Sequence, residues 1–138
     1  SRAKEIETLG IKFEKVVEGE IDGVMVHLTP EEFKYIFNNL FTNSLWALEG
    51  MDHPRIGVRV NNDKNFVHLL WMDSGRGISD ELAKLLFSSP VNSSRPGGRG
   101  EGCFESRKIL ARRGGLIRIE KAPDGWSTAF FIKLLRTK

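Results

Sequence analysis

Two hydrophobic periods alternate along the chain and mark out its elements. Residues 11–17 (IKFEKVV) interleave apolar and charged side chains, the two-residue period of a half-buried strand. Residues 23–28 (GVMVHL) are a second strand candidate. The period then changes: in 29–50 (TPEEFKYIFNNLFTNSLWALEG), Phe33, Ile36, Phe37, Leu40 and Phe41 recur at helical spacing. The ends of this helix are written in as well. Thr29 suits an N-cap, Pro30 the first helical position, Glu32 closes a capping box, and Gly50 offers a stop.

Residues 55–63 (RIGVRVNND) alternate again, NN and DKN supply turn chemistry, and 66–73 (FVHLLWMD) form a nearly continuous apolar strand, which predicts a central hairpin. Residues 79–87 (SDELAKLLF) predict a short helix capped by Ser79. The segment 88–100 (SSPVNSSRPGGRG) has no periodic apolar content and predicts a loop within a domain. A helix at 101–113 (EGCFESRKILARR) and strands at 115–121 (GLIRIEK) and 127–135 (STAFFIKLL) still follow it. This order predicts an α/β two-layer sandwich: a mixed, mostly antiparallel sheet of about five strands with three helices on one face. The polar residues 1–10 (SRAKEIETLG) read as a linker remnant, leaving 11–138 as the domain.

Composition changes this picture little. A chain of 138 residues suits one domain that buries about two-thirds of its unfolded surface. The net charge of +3 is spread along the chain, which suits an anionic ligand as well as a solvated surface. No basic stripe with interleaved aromatics supports a nucleic-acid platform. Cys103 is the single cysteine, so no internal disulfide is possible and a reducing, cytoplasmic setting is expected. No apolar run reaches membrane-spanning length, and no membrane contact by this domain is expected.

Three polar motifs interrupt these elements. Asn39 and Asn43 stand four apart, so on a helix they stack on one side, roughly 6 Å apart, at the edge of the apolar face. Two amides there suit the oxygen preference of a hydrated Mg²⁺, and equally suit half-buried amides bonded to backbone. Asp73 ends an apolar strand, where a buried carboxylate is costly unless paired; as an acceptor it suits an amino donor such as N6 of adenine. Gly75 and Gly77 then lack Cβ atoms, which lets backbone approach a planar ring, although a plain strand-to-helix turn uses the same residues. Gly98, Gly100 and Gly102 precede a helix, where bare amides and the helix dipole can hold phosphate oxygens. A dinucleotide fingerprint would need a preceding strand, and a Ser/Pro-rich loop stands there instead.

In this order and spacing, the motifs resemble the ATP-binding domain of sensor histidine kinases, in the superfamily shared with gyrase, the ninety-kilodalton heat-shock chaperone and MutL proteins. NNLFTNSLWAL resembles the N box, with Asn43 at its metal-binding asparagine. DSGRGI, ending at Ile78, resembles the first glycine box, with Asp73 at the adenine-reading position, and GRGEGC resembles the second. DGWSTAFFIKL resembles the final strand, Thr128 falling where the family has a threonine close to adenine. The resemblance covers about residues 10–135 and implies a Bergerat-type fold, ATP and Mg²⁺ as ligands, and an ATP lid over about 87–100. It also implies nucleotide contacts from Asp73, Gly75, Gly77, Ile78, Gly98, Gly100, Gly102 and Thr128, with Arg95 and Arg99 placed to pair with phosphate oxygens. Three departures bear on the phosphate end. Trp46 stands where the N box commonly has a lysine or arginine, Glu101 replaces an apolar residue, and Val91 is the nearest substitute for the second lid phenylalanine.

Asn39 matches a position that is glutamate in the gyrase-like hydrolases, where it activates water. An amide cannot accept a proton near neutral pH, so the resemblance implies transfer of the γ-phosphoryl group to a protein histidine, with Asn39 and Asn43 at the catalytic end. His27, His53 and His68 all lack the helical His-Glu or His-Asp context of the family's acceptor. The acceptor is therefore expected on a dimerisation and phosphoacceptor domain outside this chain, with a response regulator downstream. A hydrolysing switch or anti-sigma serine kinase of the same superfamily is an alternative, as is an interaction module that has lost nucleotide binding.

Overall fold

Alternation along the strands sorts side chains onto the two sides of one sheet. The computed structural model describes residues 2–88 and 101–137. Its strands are β1 (Lys12–Val17), β2 (Arg55–Asn62), β3 (Phe66–Asp73), β4 (Leu116–Glu120) and β5 (Thr128–Leu135), in the order β1-β2-β3-β5-β4. β1 runs parallel to β2 and the other neighbours are antiparallel, so the sheet is mixed and mostly antiparallel, as expected. On β3, Val67, Leu69 and Trp71 turn into the core, and the same parity carries Asp73 inward. The register sets Thr128 opposite Asp73, and Phe130, Ile132 and Leu134 continue the inward row of β5.

The helical layer comprises α2 (Pro30–Leu48), α3 (Asp80–Leu86) and α4 (Glu101–Arg112), numbered after an N-terminal α1 (Arg2–Thr8). α2 packs on β3 through the fully buried Ile36 and Leu40, while α4 packs on α2 and β4 through Cys103 and Leu110. The capping box closes as the sequence predicts. Glu32 N–H donates to Thr29 Oγ1 at 3.1 Å, and Thr29 N–H donates to Glu32 Oε1 at 2.9 Å. Gly50 takes a φ of 75° just beyond α2, a conformation that costs glycine little. Ser79 caps α3 by accepting from Leu82 N–H at 3.1 Å.

Two segments differ from the sequence reading. Residues 23–28 form no strand and make a single bridge, Val26 to Arg136, beyond the end of β5. Their alternation has another cause: Val24, Val26 and Leu28 pack against the core as a cover, without a ladder partner. Residues 2–8, read as polar linker, form α1, anchored where Ile6 packs on the core and Ile11 N–H donates to Ile6 O.

Candidate functional site

The inward end of β3 is where polar groups collect. Asp73 is only 2% exposed, and both carboxylate oxygens are engaged: Gly75 N–H donates to Oδ1 at 2.9 Å and Ser44 Oγ donates to Oδ2 at 3.0 Å. Ser44, itself fully buried on α2, also accepts from Trp71 Nε1 at 2.9 Å. Burial pushes the Asp73 carboxyl above its ordinary range, while the Gly75 amide and the Ser44 hydroxyl pull against that rise. A carboxylate oxygen can accept more than one hydrogen bond, so Asp73 keeps capacity for an incoming donor.

Asp73 and Thr128 form the polar floor of a cleft whose wall is α2, through Asn43 and Ala47. Ile78, Leu82, Leu86 and Phe130 supply apolar sides. Two buried oxygens of this cleft, Asn43 Oδ1 and Thr128 Oγ1, lack a hydrogen-bond partner among the described residues. Buried polar atoms are rarely left so, because each unmade bond costs about 1–3 kcal/mol. Apolar walls with a carboxylate, a hydroxyl and an amide oxygen converging at one end suit a flat heterocycle bearing an amino group and a polar tail.

The structure thus brings Asn43, Asp73, Gly77, Ile78 and Thr128 together around one cleft. Gly77 adopts a φ of 81°, the conformation anticipated for this loop. Gly75 stands behind the cleft. A Cβ there would lie 2.5 Å from Ala47 O, so the bare backbone serves the packing of the β3–α3 loop onto α2. Asn39, one helical turn from Asn43, faces the start of α4: a Cβ on Gly102 would fall 1.8 Å from Asn39 Oδ1. Arg95, Gly98, Arg99 and Gly100, with Val91 and most of the expected lid, lie outside the described residues. His68 is a satisfied sheet residue, with Nδ1 3.0 Å from Asn61 Oδ1.

Three residues beside the site escaped sequence reasoning. Ser44 follows Asn43 directly, and a hydroxyl on the apolar side of an amphipathic helix was its only signal. Arg76 caps the end of α2, donating from Nη2 to Trp46 O at 3.1 Å and Glu49 O at 3.2 Å, with its guanidinium 4.4 Å over the Trp46 ring. Trp46, where the family commonly has a cation, therefore lines the cleft beside one. Cys103 receives the amides of both asparagines.

Among the described residues no group of three or more His, Cys, Asp or Glu side chains could hold an ion. A single unpartnered amide oxygen, Asn43 Oδ1, fits a cation that keeps its waters and arrives with phosphates, the habit of Mg²⁺.

An open α/β sandwich with such a cleft beside its central helix has the shape and polarity to take a nucleotide. Residues 29–138 match the model of the histidine kinase-, DNA gyrase B- and HSP90-like ATPases, and the chain belongs to that family, whose ATPase domain binds ATP. It is similar to the C4-dicarboxylate transport sensor protein DctB of Rhizobium meliloti (29% identical over 124 residues, 83% of this chain and 20% of that protein). It is also similar to a putative NtrY-like sensor histidine kinase of Rickettsia bellii (28% identical, 68% of this chain and 15% of that protein). The chain thus spans a fifth or less of these curated relatives. In fold it matches the mycobacterial sensor histidine kinase MprB, with a TM-score of 0.78 at 23% identity, covering 98% of this chain and 89% of that one. The nucleotide-free catalytic domain of histidine kinase ThkA matches with a TM-score of 0.77 at 24% identity, covering 99% and 87%. The chain is an ATPase domain of the sensor-histidine-kinase type.

Proposed function

We propose that this domain binds ATP with Mg²⁺ and delivers the γ-phosphoryl group to a histidine on a dimerisation and phosphoacceptor domain, from which a response regulator is charged. The observation that carries this reading is the meeting of buried Asp73 with two unpartnered buried oxygens, Asn43 Oδ1 and Thr128 Oγ1, in one apolar-walled cleft. Adenine N6 donates to Asp73, Ile78 and Phe130 hold the ring, and Asn43 Oδ1 ligates the Mg²⁺ that accompanies the phosphates. The expected lid at about 87–100 would bring Gly98, Gly100, Arg95 and Arg99 to the phosphates, next to Gly102 in the first turn of α4. Asn39 neither takes nor gives a proton, so water beside it is not activated, whereas an imidazole brings its own lone pair. The ThkA kinase has been solved in complex with the response regulator TrrA, which supports a partner of that kind here. An ATP-dependent domain with a lone thiol also suits the cytoplasm.

Titration calorimetry with ATP, with and without Mg²⁺, tests the binding half: the wild type binds more tightly with the metal, and Asn43→Ala loses that difference. Labelled ATP mixed with this domain and a histidine-bearing dimerisation domain tests the transfer. Acid-labile label on that domain's histidine is expected, with none on this chain. Steady phosphate release, indifferent to the added domain, would instead identify a hydrolysing switch.

A further inference from the structure

Cys103 lies fully buried in the first turn of α4, and two amides of α2 donate to its sulfur: Asn43 Nδ2 at 3.4 Å and Asn39 Nδ2 at 3.6 Å. An asparagine amide has a donor end and an acceptor end that differ little in shape, so its orientation is set by what each end meets. With Nδ2 committed to the sulfur, Asn43 Oδ1 is turned away from it, and although Asn43 is only 8% exposed that oxygen has no partner among the described residues. The contact is held from behind as well. Asn39 Oδ1 occupies the space a Cβ on Gly102 would need, so the first turn of α4 lies directly against the amide edge of α2.

We infer that Cys103 is a positioning residue for the cation: its sulfur fixes the Asn43 amide so that Oδ1 faces the metal carried by the triphosphate. This rests on the role given to Asn43 above. Groups that orient a metal ligand through a hydrogen bond commonly matter to metal affinity nearly as much as the ligand itself. Cys103 is also the last residue of the second glycine motif, so the thiol ties the end of that motif to the metal ligand. A large, soft sulfur serves two amides across a helix–helix contact at 3.4 and 3.6 Å, distances at which a smaller hydroxyl oxygen would bond only weakly.

Cys103→Val, close in volume but without an acceptor, tests this beside Cys103→Ser, which retains one, and Ser106→Ala, an equally buried change on the same helix whose hydroxyl is bonded to neither asparagine. The measurement is the ratio of ATP affinities with and without Mg²⁺, with adenosine as a metal-free control. Cys103→Val is expected to reduce the Mg²⁺ enhancement about tenfold, with adenosine affinity unchanged. Cys103→Ser is expected to restore part of it, and Ser106→Ala to leave it intact. A valine variant that keeps the wild-type Mg²⁺ enhancement overturns the inference and leaves Asn43 its role. Absence of any Mg²⁺ effect in the wild type overturns both. Should the valine variant not fold, side-chain amide NMR of the wild type and Cys103→Ser decides. The Asn43 NH₂ resonances shift with the serine substitution if sulfur is their acceptor, and coincide in the two proteins if it is not.

Discussion

Ser44 Oγ donates a hydrogen bond to Asp73 Oδ2 at 3.0 Å and accepts one from Trp71 Nε1 at 2.9 Å. One buried hydroxyl thus satisfies a core donor and orients the carboxylate that faces the cleft. Ser44→Ala removes both bonds, leaving Trp71 Nε1 buried without an acceptor and Asp73 short of a donor. A loss of about 1–3 kcal/mol is expected in urea unfolding, since an unsatisfied buried group bears its full desolvation cost. Nucleotide binding should weaken as well, because a less restrained carboxylate orders itself on binding.

Asp73→Asn separates stability from function. Burial raises the native carboxyl's pKa above its ordinary 3.8, so the folded protein holds this proton to a higher pH than the unfolded chain does. The contribution of Asp73 to stability is therefore full below the unfolded value and lost as pH rises through the native one. Asparagine removes that loss. The nucleotide-free variant should unfold at a higher temperature than the wild type near neutral pH, by on the order of 1 kcal/mol, with the gap closing as the solution is acidified. ATP binding should move the other way. Losing a hydrogen bond to a charged acceptor costs about 1.5–3 kcal/mol, or roughly ten- to hundredfold in Kd by calorimetry. An apo variant less stable than the wild type at neutral pH, or one of unchanged affinity, would contradict this account.

What the sequence disclosed and what it hid have different physical origins. The start of α2 was legible because a capping box is local, written in Thr29, Pro30 and Glu32. Asp73 was legible because strand parity is local too: in FVHLLWMD the carboxylate falls on the same side as Val67, Leu69 and Trp71. Residues 23–28 misled because a chain covering a core alternates as a strand does, and only the position of a hydrogen-bonding partner tells them apart. α1 was hidden because Ile6, which anchors it to the core, stands among polar residues. The thiol contact with Asn39 and Asn43 spans 64 and 60 positions and follows from how α4 lies on α2. No periodicity encodes that distance.

Arg76→Ala should expose the role of the cation beside the cleft. Its guanidinium serves the Trp46 and Glu49 carbonyls at the end of α2 and covers the Trp46 ring. The site is exposed, so the expected loss is only about 1 kcal/mol in thermal unfolding and shrinks at high salt. Arg76→Lys should recover part of it, since an ammonium keeps the charge but cannot fork between two carbonyls.

The two glycines after Asp73 should respond differently to alanine. At Gly77 the backbone has a φ of 81° and open space around a Cβ, with nothing nearer than Ser127 O at 3.7 Å. The cost there is that of a left-handed alanine, about 1–2 kcal/mol, with the cleft otherwise intact. At Gly75 the φ needs no glycine, yet a Cβ would meet Ala47 O at 2.5 Å and its carbonyl carbon at 2.7 Å. Helix backbone cannot yield as a side chain does, so the loop itself must lift from α2. That lift would pull the Gly75 N–H from Asp73 Oδ1 and the Arg76 N–H from Ala47 O, bonds now 2.9 and 3.0 Å long. Gly75→Ala should therefore cost more, about 3 kcal/mol or above, from overpacking together with lost hydrogen bonds. It should also weaken ATP binding more than Gly77→Ala does. Urea unfolding and calorimetry on the two variants side by side check the order, and equal effects would mean that the loop moves freely on α2.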